Sequence, residues 1–250
     1  MDLKLKDKVA IVTGSSKGIG AGIAKEFAKQ GAKVVVNYSS SKESADRVVN
    51  EITQNGGTAM AVQADISKLA DIKRLFEETK KVFGRLDVLV NNAGVWKYEM
   101  LDEVSEESFH LQVNTHLMAA IFCAQHAVEL FDEKGGSIIN ISSTVSLNPI
   151  PGTLIYSAAK AGIDNVAKVL AKELGPKNIR VNTLAPGMTE SEGATADGRP
   201  GSEMEKQMLA LTPLGRVGLP IDIAKVAVFL ASDDSAWVTG ERISAAGGLF

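Results

Sequence analysis

Tyr156 and Lys160 are the residues whose types and spacing most directly suggest proton transfer. If the segment between them is helical, the two side chains lie on one face as neighbours. A free phenol, with a pKa of about 10, is a poor base at neutral pH. An ammonium about 4 Å away stabilises tyrosinate by up to ~4 kcal/mol at an effective dielectric near 20. The pair is therefore suited to protonating a carbonyl oxygen and to removing that proton in the reverse direction.

Two serines precede this pair at the end of a short apolar segment. Ser142 and Ser143 compete for a single role, that of a hydroxyl that orients the substrate oxygen and shares its developing negative charge. The residue types alone leave the choice between them open.

A glycine-rich turn lies near the start of the chain. The sequence Thr-Gly-Ser-Ser-Lys-Gly-Ile-Gly spans residues 13–20 and directly follows the apolar segment Val9–Val12. Glycines at such a turn let the backbone approach a pyrophosphate, which the positive end of the next helix attracts. The alternative is a plain strand-to-helix turn. Its position after a first strand favours dinucleotide binding.

These residues need a scaffold, and short apolar segments alternate with helical patterns along almost the whole chain. We predict strands at Val9–Val12, Val34–Val36, Ala59–Gln63, Leu86–Val90, Ser137–Ile141, Ile179–Leu184 and Arg242–Ala245. The predicted helices are Ile19–Gln30, Lys42–Gln54, a helix from an N-cap at Ser67 to Phe83, one within Phe109–Leu130, Tyr156–Leu174 and Pro220–Ala231. The alternation predicts an α/β fold of the Rossmann type, a doubly wound parallel sheet of about seven strands with helices on both faces. We expect residues 1–250 to form one catalytic domain, with a substrate lid around 187–212.

Several motifs, taken in order, resemble those of the short-chain dehydrogenase/reductase family in its compact single-domain form. They are the glycine turn, Asn91-Asn92-Ala93-Gly94, the Tyr156–Lys160 pair, and Pro186-Gly187 followed by Ser191, where threonine is usual. The resemblance covers essentially the whole chain and extends to 3-oxoacyl-carrier-protein reductases and glucose dehydrogenases. It implies hydride transfer between a nicotinamide cofactor and a carbonyl or alcohol carbon.

The resemblance also assigns roles to single residues. It favours Ser143 over Ser142, and it makes Asn114 the residue that holds a proton-relaying water next to Lys160. The alternative for Asn114 is a polar residue that caps or kinks a helix. The implied cofactor-binding residues are Gly14, Ser16, Lys17, Gly18, Ile19, Gly20, Asn37, Tyr38, Ser39, Asp65, Ile66, Asn92, Ala93, Gly94, Tyr156, Lys160, Pro186 and Gly187.

The residues that follow the second strand favour NADP(H). Sites that prefer NAD place a carboxylate there to bind the ribose 2′-hydroxyl. This chain has Asn37-Tyr38-Ser39-Ser40 and no acidic residue before Glu43. A 2′-phosphate is therefore not repelled, and Lys17 is placed to bind it, unless that lysine is only a solvated surface residue. The absence of an arginine in this segment leaves use of NAD(H) open.

Composition excludes several other classes of protein. A net charge of -3 argues against a nucleic-acid partner, and no apolar run is long enough to span a membrane. The N-terminus has no apolar core of a signal peptide. Cys123 has no cysteine partner, which suits a reducing cytoplasm, and its apolar neighbours predict an inert packed thiol. The three histidines show no metal-ligand spacing, so we expect no metal.

The most direct function is a ketone reductase or alcohol dehydrogenase acting on a small molecule, and the family resemblance implies a homotetramer. An enoyl reductase is an alternative, although relatives with that activity have a wider Tyr–Lys spacing than this chain. A catalytically silent dinucleotide sensor or scaffold is a second alternative, although such relatives lose residues that are all retained here. Trp96, Tyr98, Ile150, Met188 and Glu192 are expected near the substrate, together with the segment 147–149.

Overall fold

The central feature is a sheet of seven strands, all of whose pairings are parallel. In the computed structural model, which describes residues 3–192 and 201–249, the strand order is β3-β2-β1-β4-β5-β6-β7. The strands are β1 (Val9–Val12), β2 (Lys33–Tyr38), β3 (Thr58–Gln63), β4 (Val88–Asn91), β5 (Gly136–Ile141), β6 (Ile179–Pro186) and β7 (Arg242–Ala245). The predicted fold class is confirmed, including the seventh strand.

Helices cover both faces of this sheet. They are α1 (Gly18–Lys29), α2 (Lys42–Gln54), α3 (Leu69–Phe83), α4 (Glu106–Val113), α5 (Ala119–Val128), α6 (Leu154–Leu174), α7 (Glu203–Ala210) and α8 (Pro220–Ala231). Side chains of β1 alternate between two apolar cores, as expected of a strand buried on both sides. Ala10 and Val12 pack with α1, α2 and α8, whereas Val9 and Ile11 pack with α3, α5 and α6.

Strand order places one crevice at the carboxyl edge of the sheet. Strands β1 and β4 are neighbours, and the chain leaves them for opposite halves of the sheet, β2 on one side and β5 on the other. At such a switch point the two loops diverge and open a ligand site. The glycine turn and residues 92–98 emerge at this point.

Helix α7 was not predicted, and two further helices differ from the sequence predictions. Helix α3 begins at Leu69, so the prediction of an N-cap at Ser67 is wrong; its hydroxyl instead donates to the Asp65 carboxylate at 2.7 Å. The single helix expected within Phe109–Leu130 is interrupted by a π-helical turn at Asn114–Met118. A residue that kinks a helix was one of the two alternatives for Asn114. A π turn shifts the register of the following helix and is frequent at functional sites.

The structure also bears on two expectations, one about Cys123 and one about membrane-spanning helices. Cys123 is buried in the core between the sheet and its helices, as predicted, and burial raises the pKa of its thiol to about 12. No helix in the described part of the chain combines the length and apolar character needed to cross a membrane.

Candidate active site

Many of the predicted site residues line one cavity at the carboxyl edge of the sheet, which has a volume of about 680 Å³. Strands β4, β5 and β6 each deliver a segment to it, and α6 delivers the Tyr156–Lys160 pair. The sequence-predicted residues that line it are Ile19, Asn92, Gly94, Trp96, Tyr98, Ser142, Ser143, Ile150, Tyr156, Lys160, Pro186, Gly187 and Met188. The cavity therefore joins the glycine turn to the proposed proton-transfer pair.

Tyr156 and Lys160 are neighbours on α6, as their spacing predicts. The Lys160 ammonium lies 5.4 Å from the centroid of the Tyr156 ring. The same Nζ donates to the Ile141 carbonyl at 2.8 Å, and the side chain is buried. The Ser142 hydroxyl donates to the Lys160 carbonyl oxygen at 3.3 Å. The end of β5 therefore fixes both ends of the lysine.

Burial changes the electrostatic argument made from the sequence. Desolvation lowers the pKa of Lys160 to about 7, and the negative charge of Asp164 opposes that shift. Ammonium and neutral amine are therefore both populated near neutral pH. The lysine supports a tyrosinate fully only on the acid side of this value.

Two aromatic side chains hold the Tyr156 ring edge-on. Trp96 lies 4.7 Å from it between ring centroids and His116 lies 5.2 Å from it. Burial, together with the charge of Lys160, lowers the pKa of His116 to about 3, so its imidazole is neutral. Its Nε2 lies 2.8 Å from the Val95 carbonyl oxygen, which fastens the loop that carries Trp96.

The two serines have different surroundings. Ser142 is buried, with its hydroxyl engaged by α6, which fits a supporting role. Ser143 is partly exposed to the cavity, and its Oγ accepts from the Val145 amide at 3.4 Å. Asn114 lies in the π turn, which packs against α6, and it is not among the described residues that line the cavity. The catalytic roles of Ser143 and Asn114 stay predictions.

The glycine turn has the shape that a pyrophosphate requires. Gly14 and Gly18 have φ of +60° and +54°, which disfavour any side chain. A Cβ on Gly14 would lie 2.7 Å from the Ala93 Cα. The Gly18 amide donates to a carboxylate oxygen of Glu192 at 2.8 Å, so the start of α1 already binds an anionic group. The turn therefore fits the dinucleotide phosphates that the sequence predicts there.

Asn92 and Ala93 tie the end of β4 to this turn. The Asn92 side-chain amide donates to the carbonyl oxygens of Thr13 and Gly14 at 2.8 and 3.1 Å. The Ala93 amide donates to the Thr13 hydroxyl at 3.0 Å. The Asn-Asn-Ala-Gly segment thus ends a strand and also holds the glycine turn in place.

The residues predicted to contact the adenosine end of the cofactor differ in their exposure and in which of their polar atoms are already hydrogen-bonded. Asn37 is buried with its amide engaged by the Gly14 amide at 3.0 Å and the Ala64 carbonyl at 3.0 Å. Ser39 is exposed at the end of β2 and Lys17 is exposed before α1.

The Asp65 carboxylate accepts from Ser67 and pairs with Lys68 at 3.2 Å. Ser16 and Tyr38 are half-buried and Ile66 is buried. All these cofactor contacts stay predictions.

The expected substrate-side residues divide into two groups. Trp96, Tyr98, Ile150 and Met188 line the cavity, as does Met208, which the sequence alone would assign to packing. Residues 147–149 are exposed outside the lining, and Glu192 contacts the glycine turn instead. Of the expected lid, residues 193–200 lie outside the described residues. In the described remainder, a bridge joins Thr189 to Gly218 and α7 borders the cavity.

Sequence reasoning missed the charged pair behind the site, Asp164 and Arg242. The four-residue step from Lys160 to Asp164 on one predicted helix was a usable signal. No sequence signal pointed to Arg242, because only the sheet pairing of β6 with β7 brings it next to Asp164.

Gly14→Ala should abolish measurable dinucleotide binding and destabilise the fold. The positive φ and the contact with the Ala93 backbone make strain of about 1–3 kcal/mol unavoidable. Calorimetric titration with NADPH and thermal unfolding measure the two effects. The matched control is Gly175→Ala, where φ is -51° and a Cβ meets no atom within 4 Å. Equal NADPH affinity in both variants would contradict the assignment of this turn.

Comparisons with known proteins agree along nearly the whole chain. A family model described as enoyl-(acyl carrier protein) reductase matches residues 14–250. An uncharacterised oxidoreductase of Methylorubrum extorquens is 51% identical over 246 residues, covering 98% of this chain and 99% of that protein. A hydroxynaphthalene reductase-like protein of Metarhizium guizhouense is 42% identical over 256 residues, covering 98% and 95%. The solved structure of the angucycline C-6 ketoreductase LanV with bound NADP is 36% identical, with a TM-score of 0.92 and coverage of 98% and 96%.

Proposed function

The chain belongs to the short-chain dehydrogenase/reductase family of oxidoreductases, and from this membership we propose that it interconverts a ketone and a secondary alcohol with NADP(H). The observation that carries the proposal is the buried Lys160 beside the Tyr156 ring, in a cavity that also opens onto the glycine turn. Reduction of a carbonyl needs a proton donor beside the hydride source, and this pair is suited to that task.

Each residue of the pair has a defined task in ketone reduction. The Tyr156 hydroxyl donates its proton to the substrate oxygen, and the Lys160 ammonium stabilises the phenolate that this leaves. The Ser143 hydroxyl donates a hydrogen bond to the same substrate oxygen and limits its build-up of charge. Asn114 is proposed to hold the water that returns a proton through Lys160. The bound nicotinamide supplies the hydride, or accepts it in the reverse direction.

The cofactor is proposed to lie between the glycine turn and the ends of β4 and β6. Its phosphates would meet the start of α1, and its nicotinamide end would meet Pro186, Gly187 and Lys160. Preference for NADP(H) is supported by exposed Lys17 and Ser39, with no carboxylate at the end of β2. LanV, 36% identical to this chain, has NADP bound in its structure.

Ser39→Asp should shift preference from NADPH toward NADH. A carboxylate there repels a 2′-phosphate and accepts a hydrogen bond from a 2′-hydroxyl. We expect the ratio of kcat/KM for NADPH to that for NADH to fall roughly 10- to 100-fold, as loss of a charged hydrogen bond of about 1.5–3 kcal/mol implies. Steady-state kinetics with both cofactors measure this ratio.

The control for that substitution is Thr53→Asp, which adds the same charge at an exposed position of α2. It should leave the ratio unchanged. A wild-type enzyme that already prefers NADH would refute the proposed cofactor preference, whatever the variants do.

The substrate is proposed to be a neutral, largely apolar ketone, with an aromatic ketone as the first choice. Trp96, Tyr98, Ile150, Met188 and Met208 give the cavity aromatic, aliphatic and sulfur-containing walls. Such walls bind flat apolar rings by contact area and leave orientation to a few polar groups. Two relatives support this choice, one described as hydroxynaphthalene reductase-like and one as an angucycline ketoreductase.

A panel of ketones, β-ketoesters, sugars, acyl thioesters and enoyl thioesters, each with NADPH and NADH, tests the function. Ketone reduction is favoured over enoyl reduction because three residues separate Tyr156 from Lys160, a shorter spacing than in enoyl-reducing relatives. If only enoyl thioesters are turned over, enoyl reduction replaces ketone reduction as the proposed activity. Binding of NADPH without turnover of any compound would support the silent sensor instead.

Assembly as a homotetramer in the cytoplasm, with residues 187–212 closing over the substrate, completes the proposal. Apolar side chains that remain exposed on α4, α5 and α6 support the assembly: Phe109, Leu111, Ile121, Leu154 and Val169. Light scattering on the purified protein tests the tetramer.

A further inference from the structure

A buried ion pair lies directly behind the reaction centre. Asp164 follows Lys160 by one turn of α6, and its Oδ2 accepts from the Arg242 Nε at 3.0 Å and from the Ser146 hydroxyl at 2.6 Å. The side chains of Arg242 and Asp164 are only 16% and 9% exposed, so solvent screens this pair weakly.

We propose that Asp164 and Arg242 form a positioning pair, which holds the Ser143 loop and sets the pH at which the Tyr156–Lys160 couple gives up its first proton. The inference rests on the proposed function, since it describes how that same site is tuned. It concerns groups that do not touch the reacting atoms and act through Lys160 and Ser143.

The mechanical part follows from three hydrogen bonds made by one guanidinium. Besides Asp164, Arg242 reaches the Ser143 carbonyl through Nη2 at 3.0 Å and the Ser146 hydroxyl through Nε at 3.3 Å. The planar, rigid fork of an arginine fixes all three partners relative to one another. It thereby joins β7, the loop after β5 and the helix that carries Lys160.

The electrostatic part follows from an unsatisfied atom. Asp164 Oδ1 is buried and has no hydrogen-bond partner among the described residues. A buried ion pair contributes little to stability, and a half-satisfied one contributes less. The carboxylate therefore retains acceptor capacity that its contacts with Arg242 and Ser146 do not use. The charge of Asp164 raises the pKa of Lys160 against the lowering caused by burial.

Among the described groups, Asp164 is the carboxylate whose charge raises the pKa of Lys160. The titratable groups on the elements packed around it are His116 in the π turn, Glu106, Glu107 and His110 on α4, Lys97 and Glu99 after β4, Glu205 on α7, and Arg242. His116 is neutral, and Lys97 pairs with Glu99 at 2.8 Å. The α4 groups are exposed. Glu99 is buried as well, but its partner is Lys97, whereas Asp164 lies one turn from Lys160 on α6 with Arg242 as its counter-ion.

The two single charge removals should act in opposite directions. Asp164→Asn removes a negative charge, so the Tyr156–Lys160 couple loses its first proton at lower pH, whichever of the two residues loses it. Arg242→Gln leaves the carboxylate uncompensated and moves the same event to higher pH. We expect the alkaline limb of kcat/KM to shift by roughly one pH unit each way. The double variant should return it close to the wild-type position.

A second measurement does not depend on turnover. The chain has three tyrosines, so subtracting the titration of Tyr156→Phe isolates the tyrosinate absorbance of Tyr156 in the protein without cofactor. The ionisation of Tyr156 that this absorbance reports should follow the same opposite shifts, because each charge acts on both members of the couple. If no ketone is reduced but this step shifts as expected, the proposed function fails and the ion-pair inference stands.

The Arg242→Lys variant and the unfolding midpoint distinguish the proposed positioning role from a purely structural one. If Arg242→Gln fails to fold, Arg242→Lys serves instead: it keeps the charge but loses the fork, and should leave the alkaline limb in place while lowering kcat. Single variants that shift the limb in the same direction, or change only the unfolding midpoint, would overturn the inference.

Discussion

Tyr156→Phe should lower kcat for ketone reduction by roughly 10²- to 10⁴-fold, the range that general acid catalysis supplies. The hydroxyl is the only group removed, so the ring keeps its edge-on contacts with Trp96 at 4.7 Å and His116 at 5.2 Å between centroids. The fold and the dinucleotide affinity should therefore remain nearly unchanged. Stopped-flow reduction measures the rate, and calorimetric titration with NADPH measures the affinity.

Tyr98→Phe is the matched control, because Tyr98 borders the same cavity and is half exposed. It loses an identical hydroxyl from the proposed substrate wall rather than from the Tyr156–Lys160 pair, so we expect a change in KM while kcat stays within a few-fold of wild type. A Tyr156→Phe enzyme with wild-type turnover would remove the phenol from the mechanism.

Lys160→Met should give the second largest loss. A unit charge 5.4 Å from the ring centroid interacts with a developing phenolate by about 3 kcal/mol at an effective dielectric near 20, which corresponds to roughly a hundredfold in rate. The variant should also lose the alkaline limb that arises as the ammonium, with a pKa of about 7, gives up its proton. The pH profile of kcat/KM measures both.

The same lysine makes a stability prediction with a definite sign. Burial lowers its pKa from an ordinary 10.5 to about 7, so between those values the unfolded chain binds a proton that the folded chain does not. Wild-type stability should therefore fall as pH drops through this window, and Lys160→Met should show less of that slope. Denaturant unfolding at two pH values tests it. Lys168→Met, exposed on the same helix, should change neither slope nor rate.

The parts of the fold set by local pattern were predictable from the sequence. Continuous apolar strands such as Val34–Val36 identified buried parallel strands, and the step from Tyr156 to Lys160 was enough to place two side chains on one face. Alternation of strands and helices then brought the ends of β4, β5 and β6 to one edge, where the predicted residues converge.

What escaped prediction depends on contacts and burial that the residue pattern alone does not show. Asn37 stays a predicted cofactor contact, but its amide is also engaged by Gly14 and Ala64, which only the packed turn brings near. Ser67 was expected to cap a helix, but the Asp65 carboxylate is a stronger local acceptor for its hydroxyl. A pKa of about 7 for Lys160 follows from its burial. A sequence shows how far apart two residues lie along the chain, but not how deeply a side chain is buried.

The contact between Glu192 and the Gly18 amide bears on how quickly cofactor would enter and leave. An incoming pyrophosphate would not meet a bare helix end, because it must displace a carboxylate from the same donor. Binding and release of the cofactor would then each exchange one anion for another, so that the Gly18 amide keeps an anionic acceptor throughout. Such a swap contributes little net affinity at that point, and it favours fast turnover over tight retention of spent dinucleotide.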